Sequence, residues 1–186
     1  MCGRYTLTVE EKELNKEFEA IVFGPLQPRY NLAPTQLAPV VRMTADGGQR
    51  QLAMHRWGLI PSWAKDSSIG NRMINARAET AADKPAFRTA LKRQRCLVPC
   101  NGFYEWKVLN PDAKKPTKQP HYIRRSDERL MTLAGLWERW RATAAGSQFG
   151  SASAANATRN KSVATSRSFP PRKSTVSRYV ARPQFG

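Results

Sequence analysis

The sequence predicts an α+β fold with mostly antiparallel strands, on three observations. "RCLVP", "GFYEW", "PHYIR" and "LMTLAGLW" are short apolar or aromatic runs separated by turn residues. "LAPVVRM" and "RQLAMHRWGLI" flank "TADGG", whose Asp-Gly-Gly marks a hairpin. Helical periodicity is confined to short stretches.

In chain order, "TVEEKELNKEFEAIV" comes first. Thr8 followed by Glu11 reads as a capping box, and Leu14, Phe18, Ile21 and Val22 then share one helical face. The "TADGG" hairpin follows. "KPAFRTALKRQ" reads as a second helix, with Pro85 suited to a first turn and Phe87, Ala90 and Leu91 facing inward. The four short strands come next, and "NPDAKKPTK" between two of them is an exposed basic loop.

After about Arg141 the composition changes. The remainder is rich in Ser, Ala, Thr and Arg, carries no acid and has neither the helical nor the strand period. It offers too little apolar area to offset its ordering entropy. The expected organisation is therefore one folded domain, 1–141, followed by a basic low-complexity or aberrant tail, 142–186, with no evident role as a nucleic-acid arm.

Charge narrows the function. The 186-residue chain has a net charge of +17. Up to Glu138 it carries 22 Lys/Arg and all 14 Asp/Glu; beyond that come nine further basic residues. A folded part this basic fits either phosphate attraction or a solvated charged surface. Three cysteines and no signal segment fit a reducing, cytoplasmic setting. Cys96 and Cys100 resemble half a zinc site, but neither His55 nor His121 sits at ligand spacing, so no metal is expected. No apolar run is long enough to span a membrane.

The residues able to carry chemistry begin with "MCGRY". Removal of Met1 would leave Cys2 with an amine and a thiol on neighbouring carbons. An α-amine has a pKa of about 7.7–8.0, so part of it is neutral and nucleophilic at physiological pH. It can form an imine with an aldehyde, and the thiol can then close a five-membered thiazolidine, which neither a lysine nor an internal cysteine can do. In "MINARAET", Asn75, Arg77 and Glu79 alternate, so an extended chain would point all three the same way, suiting phosphate and sugar recognition. In "NGFYEWK", Glu105 lies between Tyr104 and Trp106, and reads either as a carboxylate desolvated by aromatics and fit for acid/base work or as an exposed strand Glu. "RWGLIPSWAK" offers Trp57 and Trp63 around a Pro turn, each either a core residue or a stacking surface for a base.

"MCGRY", "RYNLAPTQ", "RWGLIPSWAK", "MINARAET", "CLVPCNGFYEWK" and "LAGLWERW" together resemble, in order and spacing, the SRAP family, the SOS-response-associated peptidase-like proteins that crosslink covalently to abasic sites in single-stranded DNA. The resemblance spans some 140 residues, about the first two-thirds of the usual domain. It implies a barrel-like core with flanking helices, incomplete at the C-terminus. It makes Cys2 the nucleophile after loss of Met1, Asn75 the residue that positions the sugar and Glu105 the acid/base group. Arg4 and Arg77 become phosphate contacts, and Asn31, Pro34, Trp63 and Trp106 shape a DNA cleft. It further implies a monomer without cofactor, nucleoid-associated when bound, whose peptidase activity is self-removal of Met1 and which has abasic-site lyase chemistry.

The chain departs from the family pattern in one respect. Members carry a catalytic histidine in an "HDRMP"-like stretch after the strand that follows "LWERW", whereas no histidine follows His121 here. A frame-shifted end from about residue 142 would account for this, and a DNA-binding pseudo-enzyme is the alternative it opens. "MCG" also begins class II glutamine amidotransferases, but the downstream motifs do not resemble theirs.

Overall fold

The computed structural model describes residues 3–22, 24–141, 148–156 and 166–168. Its architecture is the expected α+β class, with strands dominant and antiparallel pairs prevailing.

Strand β1 (Arg4–Leu7) leads to helix α1 (Glu11–Phe18), then β2 (Ala20–Val22) and β3 (Arg29–Leu32). The "TADGG" hairpin joins β4 (Leu37–Met43) to β5 (Arg50–Trp57), in register from Leu37↔Arg56 to Met43↔Arg50. A 3₁₀ turn (Ser67–Arg72), β6 (Asn75–Arg77) and helix α2 (Arg88–Arg93) follow. The remaining strands are β7 (Arg95–Cys100), β8 (Gly102–Val108), β9 (Lys118–Arg124), β10 (Met131–Arg141), β11 (Gln148–Asn156) and β12 (Ser166–Ser168).

Five strands close into a barrel in the order β5-β4-β7-β10-β11, with β11 returning to β5 through the parallel pairs Ser151↔Arg56 and Ala152↔Trp57. β2 and β6 attach at its sides. A second sheet runs β12-β9-β8-β1-β3. Tyr5, Leu7 and Leu32 from that sheet share one core with Leu14 and Phe18 of α1 and with Val40, Leu52, Val98 and Ala152 of the barrel. A smaller core outside the barrel holds Leu59, Ala76, Phe87, Ala90 and Leu136. A cavity lined by Val40, His55, Trp57, Val98 and Ala152 measures about 20 Å³, too small for more than a water, so the side chains there pack as core.

Two expectations, both about α1, are corrected, and a strand lies beyond the expected boundary at 141. β11 closes the barrel, with Ser151 and Ser153 fully buried. Its small residues leave no apolar period, yet smallness is what the position needs. A Cβ at Gly150 would stand 2.7 Å from the His55 ring. The other segments of 142–186, apart from β12, lie outside the described residues. Thr8 does not cap α1, because its N–H and hydroxyl both donate to Asn101 Oδ1, at 2.7 and 3.1 Å. The cap position falls to Glu10, which makes no side-chain bond. Ile21 and Val22 leave the helix because Glu19 turns left-handed at φ 48°, sending them into β2.

No helix among the described residues is long and apolar enough to cross a membrane.

Candidate active site and nucleic-acid interface

Cys2 lies outside the described residues; its neighbours do not. β1 runs antiparallel to β8 with Arg4↔Tyr104, Tyr5↔Phe103 and Thr6↔Gly102. One step further along that register, Gly3 comes level with Glu105, and a Cβ on Gly3 would meet the Trp106 ring at 4.0 Å. On the other side β1 pairs with β3 through Tyr5↔Leu32, and Arg4 Nη1 donates to Asn31 Oδ1 at 3.5 Å. The second sheet thus holds Arg4, Asn31 and Trp106 on one face near the start of the chain, with Glu105 on the opposite face of β8. Glu105 is half-buried, Asn31 is exposed and Trp106 is 41% exposed.

Asn75 and Arg77 come from β6, which pairs in parallel with β11 through Ala154↔Asn75 and Asn156↔Arg77. Ala76 between them is fully buried, so Asn75 and Arg77 share the opposite face, as the alternation requires. Glu79 does not join them, because the strand ends at Arg77 and residues 78–80 turn. Arg77 is exposed and Asn75 half-buried.

Trp57 ties these parts together. Its ring lies 5.2 Å from Tyr5, and its indole N–H donates to the Ile74 carbonyl at 2.8 Å, directly before Asn75. Its backbone exchanges bonds with the loop after Pro34: Thr35 N–H donates to Trp57 O at 2.8 Å, and Trp57 N–H to Gln36 O at 2.9 Å. Of the two sequence readings for Trp57, the core one holds, at 5% exposure. Trp63 is 61% exposed, on a loop anchored by the Trp140 indole N–H donating to Ala64 O at 2.7 Å. Pro34 is half-buried beside Thr35, which adopts φ 73°.

The buried titratable groups lie elsewhere. Burial first, and the Arg42 guanidinium second, hold His55 down at about 4, so it is neutral at physiological pH. Burial pushes the Cys96 thiol up to about 12, which makes it inert as a nucleophile. Among the described residues no His, Cys, Asp and Glu cluster could hold a metal ion.

Sequence reasoning missed His121. It sits directly across from Glu105 on β9. The available signal was the hairpin itself, since "GFYEW" and "PHYIR" pair around the basic loop.

The fold matches known structures. A crystal structure of a Bacteroides thetaiotaomicron protein superposes with a TM-score of 0.71 at 23% identity, covering 83% of this chain and 67% of that one. Abasic site processing protein YoqW of Bacillus subtilis is 44% identical over 143 residues, and YoaM of the same organism is 46% identical over 143 residues. These alignments cover 75% of this chain, and 61% and 60% of those relatives, so the chain spans about three fifths of their length. The family described as SOS response associated peptidase (SRAP) matches residues 1–170. The chain belongs to the SRAP family.

Proposed function

We propose that this protein acts on abasic sites in single-stranded DNA and captures them covalently through Cys2 after Met1 is removed. The observation that carries the reading is the β1–β8 register, which brings the residue next to Cys2 level with Glu105 and against Trp106. The names of the relatives agree with it, YoqW and YoaM both being abasic site processing proteins.

The ring-opened sugar presents an aldehyde. The Cys2 amine adds to it, giving a carbinolamine. Glu105, as the acid, gives a proton to the hydroxyl, which leaves as water, and an iminium remains. The thiol then closes on the iminium carbon and its proton returns to the Glu105 carboxylate. The product is a thiazolidine, and Glu105 ends as it began. Asn75 holds the sugar, Arg4 and Arg77 bind flanking phosphates, and Asn31, Pro34, Trp63 and Trp106 form the cleft, with the exposed tryptophans offering stacking surfaces for bases.

Incubation with a single strand bearing one abasic site tests this. The parent is expected to give a heat-stable adduct and Cys2→Ala none. Equal retention of DNA by both would leave a binding protein without chemistry.

A further inference from the structure

Glu105 and His121 are directly opposed in the antiparallel β8–β9 ladder. Such pairs have Cβ atoms about 4.5–5.5 Å apart on one face of the sheet, within reach of a carboxylate and an imidazole. The face is identifiable. Phe103, two residues before Glu105, pairs with the buried Tyr5 and packs on the main core. Glu105 and His121 therefore share the sheet face of Phe103, and both are half-buried. Nε2 of His121 is buried and has no hydrogen-bond partner among the described residues. A buried imidazole nitrogen left in that state is destabilising, so it calls for a reason.

The chain contains two histidines. His55 is enclosed by the barrel, its ring edge-on to Trp137 at 5.6 Å and pressed against Gly150. His121 is the one beside the candidate acid/base group. Among the described residues, the ladders place Glu105 and Lys107 of β8, Gln119 and Ile123 of its own strand, and Ser168 of β12 beside it. Within that set the facing ionisable groups are the Glu105 carboxylate and the Lys107 ammonium.

We propose that His121 is a positioning residue that sets the protonation and orientation of Glu105. The proposal rests on the acid/base role given to Glu105 above. A charged imidazole stabilises the carboxylate form of Glu105, and a neutral one allows the carboxyl to keep the proton that dehydration of the carbinolamine consumes. This gives Glu105 a proton-exchanging neighbour.

Two measurements decide it. Proton NMR of the two imidazoles, assigned with His55→Gln, follows His121 across pH in the parent and in Glu105→Gln. Removing the carboxylate is expected to make His121 hold its proton about tenfold less tightly. A His121 titration unchanged by Glu105→Gln overturns the pairing. The second measurement is the pH–rate profile of adduct formation for His121→Phe and His121→Gln, with thermal stability and binding of undamaged single strands as controls. The expected result is a displaced profile and a rate lower by about tenfold or more, with binding within about twofold of the parent. A profile superimposable on the parent's overturns the proposal. A parent that forms no adduct at any pH ends the crosslinking reading, and the NMR titration still settles whether the pair is coupled.

Discussion

At Glu105 chemistry and binding can be separated by exchanging one oxygen for an amide nitrogen. Glu105→Gln is expected to slow adduct formation by roughly 10²–10⁴-fold while leaving affinity for undamaged single strands close to the parent's. Matching losses in both would remove its acid/base role. Arg77 tests the opposite half. Its exposure and its strand face suit a phosphate contact, so Arg77→Ala should weaken DNA binding evenly across sequences and reduce the salt slope by about one. An unchanged slope takes it out of the interface. His55 tests the core. Its folded-state value of about 4 lies below the unfolded 6.5, so the unfolded chain binds more protons between the two. Its contribution, on the order of 3 kcal/mol, is complete above about 6.5 and is lost as pH falls towards about 4. Urea unfolding at pH 7 and pH 4.5 should show a smaller drop for His55→Gln than for the parent; equal drops would show that His55 does not drive the acid limb. At this scale alternation alone made the shared face of Asn75 and Arg77 legible. The failure at Glu79 came from a turn that alternation cannot see, and the significance of His121 exists only once β8 and β9 are in register.

Among the elements, β11 carries the most information about what a sequence hides. "QFGSASAAN" has no apolar period, and at Gly150 an added Cβ would stand 2.7 Å from the His55 ring. Gly150 faces His55, and Ser151 Oγ accepts from the Ile60 N–H at 2.8 Å. A strand built for close approach looks, by composition, like an unfolded tail. Gly150→Ala is therefore expected to cost about 1–3 kcal/mol, read as a lowered unfolding midpoint. A midpoint at or above the parent's would mean that β11 does not press on His55 as described. The strands "RCLVP", "GFYEW", "PHYIR" and "LMTLAGLW" were legible because each is bounded by turn residues, and "GFYEW" and "PHYIR" pair as a hairpin. The barrel's closure was not, since β5 and β11 are far apart in the chain and their parallel pairing leaves no local mark. The first helix failed at both ends for local reasons, a side-chain bond from Thr8 to Asn101 and a left-handed Glu19.

For the whole molecule, the +17 charge suits either attraction to phosphates or a solvated surface, and charge alone does not distinguish a binder from a reagent. That distinction depends on the first residue of the mature chain. The most direct test is intact mass spectrometry of the purified protein, before and after incubation with a single strand carrying one abasic site. The account predicts a chain beginning at Cys2 and an adduct equal to protein plus DNA less one water, mapped to the N-terminal peptide and formed without a reducing agent. An active protein that retains Met1, or an adduct mapped to a lysine, would contradict it.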